Sequence, residues 1–115
     1  MSDLSGKRAE FIALQYLRLK GYHLVANNYI TGRGTGAGEV DLIVRNQTDL
    51  VFVEVKKRSS LDNAAYAIKP QQMQRIRRAA EAFLAKNQQY SELNIRFDAI
   101  LVQSFLQIRH IENAF

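Results

Sequence analysis

Apolar residues recur along this chain with two periods, and the switches between them mark the elements. Over residues 7–20, Ile12, Ala13, Leu14, Tyr16, Leu17 and Leu19 form a broad apolar face at helical spacing, with Ser5 placed as N-cap and Gly21 as the C-terminal stop. Residues 22–30 read as a strand, with Leu24, Ala26 and Tyr29 or Ile30 as its buried positions. The β-rich runs 39–44 and 50–56 flank the turn sequence Asn46-Gln47-Thr48-Asp49 and predict an antiparallel hairpin. After a polar loop, Pro70 opens a second helix in a favoured first-turn position. Met73, Ile76, Ala80, Phe83 and Leu84 carry it to about residue 86. Residues 94–102 and 107–111 complete the pattern as strands. The order αβββαββ predicts a single α/β domain over residues 1–115, a mixed sheet flanked by a helix on either side.

Residues 31–38 alternate glycine with other residues from Gly32 to Gly38. A dinucleotide-binding fingerprint requires a helix directly afterwards, whereas Glu39 to Val44 reads as strand. The segment is therefore expected to be a flexible connection.

Composition narrows the chemistry. The chain has 115 residues, a formal net charge of +5 and no cysteine, so disulfides, thiolate metal sites and a cysteine nucleophile are excluded. His23 and His110 are too few and too isolated to suggest an imidazole-based zinc site. No stretch is long and apolar enough to span a membrane and no signal peptide is visible, so a cytoplasmic protein without membrane contact is expected. Position matters more than total charge. Residues 56–78 carry +6 net and the rest of the chain −1. Such a region attracts a polyanion by neutralising phosphates and releasing counterions; a solvated helix face is the ordinary alternative.

Strand alternation decides which side chains meet. Glu39, Asp41 and Ile43 share one face of their strand, and Val40, Leu42 and Val44 the other. In the next strand Phe52, Glu54 and Lys56 lie opposite Val51, Val53 and Val55. Asp41 and Glu54 become cross-strand neighbours, with Lys56 roughly 6–7 Å along from Glu54. Hard carboxylate oxygens suit Mg²⁺, and the backbone carbonyl of Val55 would add a further ligand. A metal so held supports phosphodiester hydrolysis, with lysine orienting water or stabilising the transition state. The ordinary alternative is a solvated Glu54–Lys56 pair. Glu10 weighs against it, because it heads the stripe Glu10, Ala13, Leu14 and Leu17 on the first helix, where a carboxylate needs a partner. Gln72 heads the matching stripe of the second helix. With Glu39 it is an accessory candidate, against ordinary first-turn solvation.

Asp41, twelve residues, then Glu54-Val55-Lys56 resembles the D…(D/E)-x-K arrangement of the restriction-endonuclease-like superfamily. A preceding helix bearing Glu10 is similar to the Holliday-junction resolvases of that superfamily. More narrowly, the chain resembles the YraN-like family of small bacterial proteins. The matching stretches are Gly6-Lys7-Arg8-Ala9-Glu10, Gly38-Glu39-Val40-Asp41-Leu42-Ile43, Val51-Phe52-Val53-Glu54-Val55-Lys56, Arg75-Ile76-Arg77-Arg78-Ala79-Ala80, Arg96-Phe97-Asp98 and Ile111-Glu112-Asn113-Ala114-Phe115. The resemblance implies a restriction-endonuclease-like core and a Mg²⁺-dependent nuclease, with Mn²⁺ as substitute. Asp41 and Glu54 are then metal ligands, Lys56 the catalytic lysine and Glu10 the helix-borne acid. Two positions depart from the pattern. Val40 stands where proline often precedes the aspartate, and Gln71-Gln72 where related chains often carry lysine.

The enzyme expected is an endonuclease acting on DNA, including branched or junction DNA. Arg33, Lys57, Arg58, Lys69, Arg75 and Arg78 are the candidate phosphate contacts. The competing reading is a non-catalytic module on the same fold that binds nucleic acid or a protein partner; RNA processing ranks lower for want of an RNA-binding module. A junction substrate would favour a two-fold homodimer, which places two sites on opposite strands.

Overall fold

The first helix ends as its glycine dictates. In the computed structural model, which describes residues 6–32, 37–62 and 68–115, α1 spans Gly6–Leu19. Gly21 takes a φ of +98°, and the N–H groups of Gly21 and Tyr22 close on the carbonyls of Arg18 and Leu17, each at 3.0 Å. This paired closure satisfies orphan carbonyls and needs the left-handed conformation that glycine adopts without steric cost. The Ser5 cap and Arg33 lie outside the described residues.

Five strands follow the predicted order: β1 (His23–Thr31), β2 (Gly38–Arg45) and β3 (Asp49–Lys57) precede α2 (Pro70–Lys86), and β4 (Asn94–Ser104) and β5 (Gln107–Ile111) come after it. They form one sheet in sequence order. β3 and β4 are parallel, joined through α2, and every other neighbouring pair is antiparallel. The β2–β3 turn is held by Asn46, whose Oδ1 accepts the N–H of Thr48 (3.0 Å) and of Asp49 (2.8 Å), as its turn sequence predicts.

The two helices cover opposite faces. Ala9, Ile12, Ala13 and Leu17 of α1 pack on Leu42, Val44, Val51, Val53, Ile100 and Val102. Ile76, Ala79, Ala80 and Phe83 of α2 pack on Ile43, Leu50 and Phe52. Because both faces of the central strands are buried, β3 reads as an unbroken apolar run from Leu50 to Val53.

Simple alternation fails in two places. Leu24 packs on the α1 side, whereas Ala26 and Tyr29 pack on the α2 side. A register shift between Leu24 and Ala26 inserts one residue and changes the phase of β1. Of the two alternatives at its end, Tyr29 is covered and Ile30 is 66% exposed. Val40, expected to share a face with Leu42 and Val44, belongs to the α2-side core instead. The β2–β3 ladder stops at Leu42–Val53. On β1, Asn28 has a φ of +50° between the pairs Asn27–Leu42 and Tyr29–Val40. A left-handed residue there twists the edge and turns the Tyr29–Val40 pair toward α2.

Gly38 has a packing role that the loop reading missed. A Cβ at this position would lie 2.6 Å from the backbone nitrogen of Ala79 and 2.9 Å from the carbonyl oxygen of Arg75. The start of β2 can therefore run directly against α2. That close approach brings the first turns of α2 beside the acidic end of the hairpin.

Candidate active site

Asp41 occupies the point where β2 leaves its ladder with β3. Its Oδ2 accepts the N–H of Val55 at 2.8 Å, so a side chain replaces the missing backbone pairing and locks Asp41 to β3. Glu54, one residue earlier on β3, is 5% exposed, and Lys56 Nζ stands 2.9 Å from its Oε2. The solvated-pair reading therefore fails on burial. Exposed ion pairs contribute little, but a carboxylate shielded this far needs its cation.

Two of the acids, Glu54 and Glu10, are placed so as to resist ionisation. Burial pushes the Glu54 carboxyl up to about 7, the negative charge and hydrogen bond of Asp41 add to the rise, and Lys56 opposes it. Glu10 is raised as well, first by burial and then by the charge of Asp41, with a smaller push from Glu39. A hydrogen bond from the Asn28 side chain and the charge of Lys7 work the other way. The structure thus brings Glu10 into the electrostatic neighbourhood of Asp41 although α1 lies on the opposite sheet face.

A cavity of about 100 Å³ is lined by Glu39, Asp41, Glu54, Gln72, Arg75 and Ile76. Gln72 is therefore at the site rather than merely solvated. Beside it opens a cleft of about 340 Å³ lined by Lys56, Arg58, Lys69, Gln71, Gln72 and Arg75. Gln72 and Arg75 border both. A basic trough thus adjoins a carboxylate pair, with Lys56 at the boundary. Arg75 also forms an ion pair with Glu39, which ties this arginine to the rim of the acidic cavity.

The other basic candidates divide. Lys57 is exposed at the end of β3, and Arg58 Nη1 donates to its carbonyl oxygen at 3.0 Å. Arg78 is exposed on α2 but lines neither cavity. The Arg77 guanidinium lies 4.8 Å from the Phe97 ring centroid. A separate hollow of about 480 Å³ lies at the hairpin-turn end among Gly21, His23, Arg45, Asn46, Gln47 and Thr48, none of them a carboxylate.

Among the described residues, no three carboxylate or imidazole side chains converge closely enough to cage a metal unaided. What the site offers is the Asp41–Glu54 pair, whose hard oxygens and mutual repulsion suit a divalent cation that retains waters. Val55 contributes its N–H to the observed geometry. Asn28 is the residue that sequence reasoning missed. The Asn27-Asn28 pair late in β1 was its only signal, since asparagine tolerates positive φ better than most residues.

A family model described as "Uncharacterised protein family UPF0102" matches residues 9–102. The chain belongs to the UPF0102 family. A UPF0102 protein of Paramagnetospirillum magneticum is 49% identical over 109 residues, covering 95% of this chain and 84% of its own. One from Bradyrhizobium diazoefficiens is 43% identical over 111 residues, covering 96% and 80% respectively. The UPF0102 match therefore includes Glu10, Asp41, Glu54, Lys56 and the whole of α2.

The Glu54 environment predicts a pH signature in metal-free buffer with chelator. The native state keeps a proton on Glu54 up to about pH 7, whereas an unfolded glutamate releases it near pH 4.3. Between these values the native state binds more protons, so the Glu54 contribution is fully present at low pH and lost as pH rises through about 7. Glu54→Gln abolishes this dependence. Relative to wild type, the variant should gain about 1–3 kcal/mol between pH 4 and pH 8 in urea titrations. Parallel stability profiles would place Glu54 in water.

Proposed function

We propose that this protein is a Mg²⁺-dependent endonuclease that hydrolyses phosphodiester bonds in DNA, including branched DNA. The observation that carries the reading is the buried Glu54 carboxylate, shared between Asp41 and Lys56, at the edge of a basic cleft. The D…(D/E)-x-K resemblance supports the same assignment and adds the restriction-endonuclease-like core.

Asp41 and Glu54 would hold the metal, with the Val55 carbonyl as a further donor. Bound there, Mg²⁺ supplies Lewis-acid polarisation of the phosphate and lowers the pKa of an attacking water. Lys56 places a positive charge beside that position and stabilises charge developing on the phosphorus-bound oxygens. Glu10 adds negative charge next to Asp41, and Gln72 borders the cavity as a neutral hydrogen-bonding group. Arg58, Lys69 and Arg75 line the path for backbone phosphates, with Lys57 and Arg78 extending the basic surface. Arg75 must exchange Glu39 for phosphate to take part. A two-fold dimer suits a junction substrate, and a cytoplasmic location suits access to DNA.

Titration calorimetry with Mn²⁺ tests the metal assignment. Wild type should bind, and Asp41→Asn should bind at least about tenfold more weakly, because the substitution removes a ligand charge while keeping its shape. Equal binding by both proteins would move the metal elsewhere.

A further inference from the structure

A second polar constellation lies on the α1 side, apart from the acid pair. Asp98 is wholly buried. Its carboxylate accepts Arg96 Nε and Nη2, each at 2.9 Å, and the backbone N–H of Asn113 at 3.1 Å. His110 Nε2 stands 2.7 Å from its Oδ2. Burial pushes this carboxyl upward, but hydrogen bonds from His110, Arg96 and Asn113 outweigh that effect and hold it below the usual range. An ionised carboxylate only accepts, so His110 must donate through Nε2–H.

That assignment constrains the other ring nitrogen. His110 Nδ1 lies 3.0 Å from Nζ of the exposed Lys20, while the His110 side chain is 2% exposed. With Nε2 fixed as a donor, the Nδ1–Nζ hydrogen bond holds one proton. Either the ammonium donates to a neutral imidazole, or an imidazolium donates to a neutral amine. Transfer of that proton to Nδ1 sets the imidazolium against Asp98 and makes Nζ an amine, whose lone pair accepts Nδ1–H until it turns to an electrophile. An accessible nucleophile, a base within hydrogen-bond reach and a buried group that orients the base together make an activated-nucleophile arrangement.

We propose that Lys20 is a reactive lysine and a site of acylation by acyl phosphates, with His110 as its base and Asp98 as the group that orients His110. The Nζ lone pair attacks the acyl carbonyl carbon, a C–N bond forms, and the C–O bond to phosphate breaks. Phosphate leaves with the electron pair. Of the two protons the ammonium sheds, the first is on His110 Nδ1 before the attack and the second, released as the C–N bond forms, goes to the departing phosphate, and no redox partner is needed. The surrounding groups pull in both directions. From β4, Arg96 opposes a second cation while Asp98 favours it; from α1, the Tyr16 ring, 5.2 Å from Nζ, favours the ammonium. Asp49 at the start of β3, Tyr22 and Glu112 engage Arg96 and moderate its charge.

The test is independent of nuclease activity. Full-length protein is incubated with acetyl phosphate and acetylation is followed by peptide mass spectrometry, with exposed Lys86 of α2 as internal reference. Near pH 7.5, Lys20 should react about 10- to 100-fold faster than Lys86. His110→Gln, verified as folded by circular dichroism, should bring Lys20 down to the Lys86 rate. If that variant does not fold, the wild-type rate ratio still decides. Equal rates for the two lysines in wild type, or a folded His110→Gln protein with undiminished reactivity, would overturn the proposal.

Discussion

Lys56→Ala should leave Mn²⁺ binding nearly intact and reduce DNA cleavage by about 10²–10³, a loss of transition-state stabilisation of about 2.7–4 kcal/mol. The ammonium is no metal ligand; it stands 2.9 Å from Glu54 Oε2 at the mouth of the basic cleft. DNA affinity should fall only modestly, because Arg58, Lys69 and Arg75 still line that cleft. The comparison needs calorimetry for the metal, single-turnover cleavage for the chemistry and a salt-controlled binding assay for DNA. A parallel loss in all three would make Lys56 a structural counter-ion of Glu54 rather than a participant in the reaction.

Asp98→Ala should be the most damaging single change to stability, at about 3–5 kcal/mol by urea denaturation. The side chain is wholly buried and joins Arg96, His110 and the backbone of Asn113. Arg96 in turn holds Asp49 at 3.2 Å and the Tyr22 hydroxyl at 2.6 Å. Removing the carboxylate takes two hydrogen bonds from the Arg96 guanidinium and leaves the buried His110 Nε2–H and the Asn113 N–H without their acceptor. A cost below about 1 kcal/mol would mean that water replaces the carboxylate without difficulty.

The elements were legible because their signals were local. Gly21 and Pro70 marked helix boundaries, Asn46 marked the hairpin turn, and the apolar periods of the helices held except at Leu19, which ends α1 past the edge of the sheet contact and is 90% exposed. Pairing Asp41 with Glu54 and Lys56 required only strand parity and a hairpin. Parity then misled at Val40 and Ala26, since a bulge and a left-handed asparagine shift the phase of an edge strand without altering its composition. Gly38 looked like part of a flexible segment because its reason for being glycine, the backbone of α2, lies some forty residues away in sequence. The Arg96–Asp98–His110–Lys20 network was invisible for the same reason. Its members come from the turn after α1, from β4 and from β5, and nothing in the local pattern announces that they meet. Net charge along the chain also could not show how the arginines of the basic region are engaged: Arg75 pairs with Glu39 and Arg77 with the Phe97 ring.

The central claim is that the acid pair beside Lys56 hydrolyses nucleic-acid backbone with a divalent cation. Incubating pure protein with branched, nicked, single-stranded and duplex DNA, and with structured RNA, in Mg²⁺ and then Mn²⁺ tests it most directly. The account predicts cleavage of DNA by wild type, none in the presence of chelator, and none by Asp41→Asn. Cleavage of RNA alone would keep the chemistry and replace the substrate. Equal cleavage by wild type and Asp41→Asn would contradict the assignment of the site, and no cleavage of any substrate would contradict the enzyme and favour the non-catalytic module that binds nucleic acid or a protein partner.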